Sequence, residues 1–373
     1  MKNIPYINLK EQHSLLKTEI LDAVSNVLNN ADFILGKEVK LFEERIAAYC
    51  GTKFAVGVNS GTDALFLSLH AYGIGAGDEV ITAPNSFLAT ASVIVAVGAR
   101  PVFVDIMEDL NINPELIKKN ITKKTKAIIP VHLTGKPAEM DPIINLAQNY
   151  NLKIIEDAAQ AIGAEYKGLK AGALGNAGCF SFHPLKTLNA CGDGGAITTN
   201  DEQLYKKLIQ LRNIGLKNRD ESDIWGYNSR LDSIQAAILN VKFKYLDSWI
   251  NSRRENAKDY NERLKGLVIV PIEKIHEKAV YHTFVIQTDN RDKLQKFLLE
   301  NGIETKIHYP IPIHLQKVSN LLGYKDGDFP VCEKTAKRIL SLPIYQGIKQ
   351  SDLIYIAEKI KAFHENFRRI SDE

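Results

Sequence analysis

Between Phe54 and Glu156 the chain repeats one rhythm: a short apolar run, a polar break, then a helical stretch. The runs are Phe54–Val58, Val80–Ala83, Pro101–Ile106, Ala127–Leu133 and Lys153–Ile155. They are too short for core helices, and too uniformly apolar for strands with one wet face. Strands of that kind belong to a mostly parallel sheet buried on both faces by intervening helices. This rhythm predicts an α/β fold with a large sheet-bearing domain. Ahead of it, residues 14–30 and 37–50 carry helical periodicity, joined by an apolar loop from Ala31 to Gly36 that lines a pocket or packs.

After Gly226 the texture changes. Leu231–Trp249 and Arg253–Leu264 read as helices, then come a strand from Tyr281 to Thr288, a helix from Asp292 to Asn301 and a strand from Thr305 to Tyr309. Further helices are expected near 329–341 and 350–366. We expect a boundary near 249, dividing the chain into a large domain of residues 1–248 and a smaller α+β C-terminal domain of residues 249–373.

Composition removes several classes of function. The net charge is only +3, with no basic tract interleaved with aromatics, so no nucleic-acid partner is expected. The first residues lack the apolar core of a signal peptide, and no run approaches a membrane span. Four cysteines are scattered without a CxxC pair, which fits a reducing cytoplasm and argues against a zinc site.

In a sheet of this kind ligands bind beyond the carboxyl ends of the strands. After the first run stands Ser60-Gly61-Thr62, opening a helix. Its free N–H groups suit a phosphate, or Ser60 or Thr62 simply caps the helix. After the second run is Phe87, able to stack on a flat ring or to fill core. After the fifth come Asp157 and, one turn on, Gln160. A buried Asp needs a cation, such as a protonated ring nitrogen or a nearby lysine. Residues 179–200 read as a strand, a tight turn carrying Ser181, His183 and Lys186, a glycine cluster and a return strand. A partly desolvated Lys186 can act as a nucleophilic amine toward an aldehyde. A phosphate cradle, a ring platform, an acid for a ring nitrogen and a lysine for an aldehyde together point to pyridoxal 5'-phosphate.

The segments SGTDAL (60–65), PNSFLAT (84–90), EDAAQAIGA (156–164), FSFHPLK (180–186), GDGGAITTN (192–200) and GYNSRLDSIQAAIL (226–239) closely resemble the DegT-type sugar-nucleotide aminotransferases, fold-type-I pyridoxal phosphate enzymes. The resemblance runs from end to end. It implies that Lys186 carries the cofactor and moves protons, that Asp157 pairs with the pyridine nitrogen, and that Gln160 touches the ring hydroxyl. It implies that Phe87 lies against the ring, and that Gly61, Thr62 and Ser181 hold the phosphate. It also implies a homodimer in which Asn228 reaches the neighbouring subunit's phosphate, with Arg230 close by. His183, His308, Tyr309 and His314 are candidates for the nucleotide-sugar substrate, the last three on a proline-stiffened loop. L-glutamate is the implied amino donor. His183 and Cys191 depart from the family's usual residues; His183 tunes the site or fills space.

SGTDAL and YPIPIHLQ (309–316) resemble the enzymes acting at the third carbon, and the region after 226 those using dTDP-linked 3-keto-6-deoxyhexoses. The alternatives are a UDP-linked 3-keto-N-acetyl sugar acid, a 4-keto sugar nucleotide, or a non-catalytic regulator on the same fold. A family dehydratase would carry His in place of Lys186. A nicotinamide dehydrogenase would need GxGxxG after the first strand, which is absent.

Overall fold

The computed structural model describes residues 2–371. The chain opens with α1 (Leu9–Asn30) and α2 (Lys37–Cys50). Helix α1 starts five residues earlier than periodicity alone suggests, because Asn8 caps it by accepting from the Glu11 N–H. Then the expected alternation begins: β1 (Phe54–Val58), α3 (Gly61–Ala71), β2 (Glu79–Thr82), α4 (Leu88–Ala96), β3 (Arg100–Phe103), α5 (Pro114–Ile117), β4 (Thr125–Ile129), α6 (Met140–Tyr150) and β5 (Lys153–Asp157). The short strands β6 (Glu165–Tyr166) and β7 (Leu169–Lys170) form a small hairpin. β8 (Ala177–Ser181) and β9 (Gly195–Thr199) follow, then α7 (Glu202–Leu211).

These strands build a seven-stranded sheet in the order β1-β9-β8-β5-β4-β2-β3. All run parallel except β9, which returns antiparallel between β1 and β8. Alternate residues of one strand feed opposite layers. On β5, Ile155 joins the core under α3 and α7, while Ile154 joins the core under α6. Both faces are therefore dry, and the polar groups that the chain must present gather at the strand ends.

The C-terminal part contains α8 (Ser233–Phe243), α9 (Leu246–Leu264), β10 (Glu277–Lys278), β11 (Phe284–Gln287), α10 (Arg291–Glu300), α11 (Pro330–Ala336), β12 (Ile339–Leu342) and α12 (Gln350–Ser371). Three expectations change. Residues 231–249 are not one helix: the chain breaks at Lys244 and Tyr245, whose side chains are tied to Glu19 of α1. Residues 339–342 are a strand, because Ile339–Leu342 pairs with β11 instead of continuing α11. The expected strand 305–309 is reduced to one bridge, Lys306 to Ser341.

Helix α9 runs through residue 249 and serves two cores. Its Leu246 and Ile250 pack beside Phe182 and Leu188 of the sheet domain, while Ala257, Tyr260 and Leu264 pack with β11, β12 and α12. The helix thus passes from one core to the other between Ile250 and Ala257. No helix among the described residues is long and apolar enough to cross a membrane.

Candidate active site

The ends of β1, β2, β4, β5 and β8 open on one cavity of about 430 Å³. The loop before β9 and three residues of the C-terminal part, His282, His308 and Tyr309, close it.

The phosphate-like corner is made by close approach of three segments. Ser60 adopts an extended conformation and its hydroxyl accepts from the Asp63 N–H at 3.0 Å, so Ser60 is the cap of α3. That leaves the Gly61 and Thr62 N–H groups in the first turn, where a helix offers no internal acceptor and its dipole favours an anion. A Cβ at Gly61 would lie 2.6 Å from the Ser181 Cβ, and one at Gly195 would lie 2.3 Å from the Ser60 carbonyl oxygen. The glycines thus allow α3, β8 and β9 to meet at this corner. Asp63 does not line the cavity; it accepts from the Ser229 hydroxyl at 2.6 Å and ties α3 to the 226–232 loop.

Asp157 ends β5 and is only 6% exposed. Its Oδ2 accepts from the Thr90 hydroxyl at 2.7 Å and its Oδ1 from the Ala159 N–H at 3.2 Å. Ser86 in turn bonds Thr90 at 2.8 Å. No ion pair to Asp157 is found among the described residues. Burial raises its pKa, while the Thr90 hydroxyl, the Ala159 N–H and the Lys186 charge oppose the rise.

Lys186 follows β8 on a tight turn closed by its own N–H to the His183 carbonyl at 2.8 Å. The side chain opens to the cavity and little else. Desolvation lowers its pKa to about 8, with Asp157 pulling the other way. The lysine turn therefore carries an amine that is roughly one-tenth free base at pH 7, far more than an ordinary lysine.

Phe87 is 57% exposed, an unusual state for a phenylalanine that belongs to a core. Its ring lies 5.6 Å from that of Tyr309. Gln160 accepts from the Thr134 N–H at 2.7 Å and donates to the Tyr309 hydroxyl at 3.4 Å. His183 is exposed at the cavity wall, and its Nδ1 accepts from the Leu185 N–H at 3.3 Å. His308 bonds the Ser341 hydroxyl at 2.9 Å, and burial with nearby Lys186 and Lys306 lowers its pKa to about 4.

Three expected residues lie elsewhere. His314 is 2% exposed; its Nε2 bonds Glu333 at 2.9 Å and its ring packs edge-on against Phe329. It is a buried structural histidine, and its assignment to substrate is corrected. The fold turns the chain after Tyr309 so that Ile313 and His314 face the core. Asn228 is exposed, and Arg230 bonds Asn213 at 3.1 Å; neither lines this chain's cavity. Conversely, Thr90, Ser86, Asp193 and His282 line the cavity without having been singled out. His282 is held neutral by burial and by surrounding Lys186, Arg253 and His308, which lower its pKa well below the usual value.

The residues fit a pyridine aldehyde phosphate on structural grounds. A buried carboxyl without an ion-pair partner, a lowered-pKa amine, an exposed ring and an unfilled helix N-terminus share one cavity. Residues 14–361 match the model of the DegT/DnrJ/EryC1/StrS aminotransferase family. The chain is 46% identical to a pleiotropic regulatory protein of Geobacillus stearothermophilus, over 98% of this chain and 100% of that one. It is 43% identical to a dTDP-3-amino-3,6-dideoxy-alpha-D-galactopyranose transaminase of Aneurinibacillus thermoaerophilus, over 96% and 99%. It is also 43% identical to a UDP-N-acetyl-3-dehydro-alpha-D-glucosamine 3-aminotransferase of Acidithiobacillus ferrooxidans, over 96% and 97%. Among solved structures, DesV of Streptomyces venezuelae superposes with a TM-score of 0.96 at 40% identity, over 98% of this chain and 99% of that one. NtdA of Bacillus subtilis, with bound cofactor PMP, gives 0.91 at 32% identity, over 98% and 86%. The chain belongs to the DegT/DnrJ/EryC1/StrS aminotransferase family, whose enzymes use pyridoxal 5'-phosphate.

Proposed function

We propose that this enzyme transfers an amino group from L-glutamate to a dTDP-linked 3-keto-6-deoxyhexose, at the third carbon of the sugar. The observation that carries the transamination is the pairing, in one cavity, of a low-pKa Lys186 with a buried Asp157 that has no ion-pair partner.

Bound pyridoxal phosphate supplies an aldehyde to hold the amino group and a ring to absorb electrons. The chain's residues do the rest. Gly61, Thr62 and Ser181 would hold the phosphate, and Phe87 would lie against the ring. Asp157 stays ionised beside a ring nitrogen that keeps its proton, which removes the cost of burying the carboxylate alone. Lys186 Nζ, as a neutral amine, would take the proton from the amino donor's α-carbon and carry it as an ammonium until it is given back. An amine with a pKa near the working pH suits both directions of transfer. Gln160, bonded to Tyr309 in the cavity wall, would contact the ring hydroxyl of the bound cofactor.

The assignment of substrate rests on the resemblance of segments 60–65 and 309–316 to the third-carbon enzymes. No arginine lines the cavity among the described residues, and His282 and His308 are held neutral. A sugar acid would need a cation for its carboxylate. Neutral imidazoles are better matched to sugar hydroxyls, since each can donate and accept. In a homodimer with shared sites, Arg230 of the partner subunit would be such a cation, so the wall of one subunit does not decide between them; the Aneurinibacillus relative's name supports the deoxyhexose.

The site is completed across a homodimer in this reading. Asn228 and Arg230 stand outside their own cavity, on a segment whose Trp225 is 96% exposed. The regulatory name of the Geobacillus relative gives the second reading, but the intact Lys186 and Asp157 favour catalysis. The test supplies glutamate with each nucleotide-linked keto sugar and locates the new amine by NMR. We expect it on the third carbon of the dTDP-linked substrate. An amine at the fourth carbon, or turnover only with the UDP-linked acid, would overturn the substrate.

A further inference from the structure

Lys242 of α8 is fully buried, at 0% exposed, and bonds no carboxylate among the described residues. Desolvation lowers its pKa to about 8. Burying an ammonium without an anion is costly, so its three donors must be well used. They reach the Asn189 carbonyl oxygen at 2.9 Å, the Asn189 Oδ1, and His13 Nε2 of α1 at 3.0 Å.

Asn189 is the link to the active site. An ammonium only donates, so it holds the Oδ1 of the Asn189 amide toward itself. The opposite end, Nδ2, then points at the Lys186 carbonyl oxygen and donates to it at 2.9 Å, with Gln12 Oε1 as a second acceptor at 3.3 Å. Asn189 is itself buried. A continuous bonded chain thus runs from α1 and α8 to the backbone of the catalytic lysine. Among the described residues, no other side chain bonds that carbonyl.

We propose that Lys242 is a positioning residue for Lys186: through Asn189 it fixes the lysine turn and so the arc from which the amine enters the cavity. Without the ammonium the Asn189 amide loses its orientation, and the Lys186 carbonyl loses the Asn189 donor. The proposal rests on the transaminase reading only in naming Lys186 as the reactive amine.

The test compares Lys242→Met, Lys242→Arg and Asn189→Asp with the parent. Methionine fills similar volume without a charge but leaves the buried Asn189 acceptors without a donor, so the melting temperature should fall by a few degrees while the protein stays folded. Asn189→Asp keeps an acceptor for Lys242 but removes the donor to Lys186. Three readouts are taken: melting temperature, the pH profile of Lys186 labelling by trinitrobenzenesulfonate in cofactor-free protein, and the rate of the glutamate half-reaction.

In the parent, labelling of Lys186 should rise as pH passes about 8, since below that the amine is protonated. In Lys242→Met and Asn189→Asp the profile should shift toward higher pH and the half-reaction slow by about 10- to 100-fold, with both variants still folded at the assay temperature. Lys242→Arg should restore part of the rate. The titrating groups facing Lys242 are His13 on α1 and Cys191 after the turn, so His13→Gln and Cys191→Ser serve as controls that leave the labelling profile in place.

An unchanged profile in folded Lys242→Met, or losses that follow the melting temperature, would overturn the proposal. Failure of both Lys242→Met and Asn189→Asp to fold would overturn it too, since the chain would then be structural alone. A shifted labelling profile in a protein inactive toward every keto sugar would sustain the positioning role and sink the substrate reading instead.

Discussion

Glu156 and Asp157 are adjacent on one strand, both carboxylates and both buried, yet their surroundings are opposite in kind. Glu156 is 0% exposed and fully satisfied: it accepts from the N–H groups of Gly172, Leu174 and Gly175 at 2.7–2.8 Å, and from His132 at 2.9 Å. His132 Nδ1 accepts the Ala138 N–H, so Nε2 carries the hydrogen that goes to Glu156. Asp157, one residue on and facing the other side of the sheet, accepts, among the described residues, from Thr90 and Ala159 alone and borders the cavity. One acid closes a loop on the back of the sheet; its neighbour is left short of a partner where a ligand can supply one. A satisfied buried charge is architecture, and an unsatisfied one at a strand end is a binding site in waiting.

Substitutions in the cavity should break activity and spare the fold, and substitutions behind the sheet should do the reverse. The largest effect is expected at Lys186. Lys186→Ala removes both the nucleophile and the proton carrier, so turnover with glutamate should fall by about 10⁴-fold or more. Cofactor should still bind through the helix N-terminus and Phe87, measured by equilibrium dialysis. Turnover near the parent's rate would remove Lys186 from its role.

The sharpest contrast is Asp157→Asn against Glu156→Gln. Asp157→Asn should cut turnover by about 10²-fold or more, since a neutral amide cannot hold a proton on the ring nitrogen. Burial has raised the Asp157 pKa in the folded state, so keeping it ionised at neutral pH lowers the stability of the cofactor-free protein. Asparagine removes that penalty. The cofactor-free melting temperature should match or exceed the parent's at pH 7, and the gap should close below about pH 4, where the parent's Asp is protonated folded or unfolded. Glu156→Gln should instead destabilise by about 3–5 kcal/mol, because its amide turns donors toward donors. A stable Glu156→Gln, or a strongly destabilised Asp157→Asn, would erase the distinction.

That distinction was only half legible in the sequence. Asp157, Lys186 and the Ser60–Thr62 turn could be placed because each ends an apolar run, and a parallel sheet puts such ends together. The regular alternation from 54 to 157 carried the fold for the same reason. Glu156 and Asp157, however, read alike as letters, because their difference lies in residues 172–175 and in His132, brought in by tertiary packing. Thr90 was invisible as a partner of Asp157: a hydroxyl one turn into a helix more often bonds its own backbone. His308 and His314 share one loop, and only the direction of the turn after Tyr309 sends one to the cavity and the other to Glu333. The break at Lys244 and Tyr245 depends on Glu19 of a distant helix.

The smallest predicted effect tests the exposed end of the comparison. Phe87 caps α4 with its ring in the cavity mouth, touching Tyr309 and no core cluster. If the ring is a platform, Phe87→Leu removes aromatic stacking while keeping an apolar side chain. Stacking of this kind is worth about 0.5–1.5 kcal/mol, so the dissociation constant for pyridoxal phosphate should rise about 2- to 12-fold. Removing a side chain this exposed should leave cofactor-free stability within about 0.5 kcal/mol. Tyr309 would lose a neighbour as well, but its bond to Gln160 keeps it in place, so the sugar's KM should move less than the cofactor's affinity. Absorbance titration of cofactor-free protein measures the first effect and thermal melting the second. A melting temperature that falls by several degrees with unchanged cofactor affinity would put Phe87 with Glu156 among the residues that build the fold.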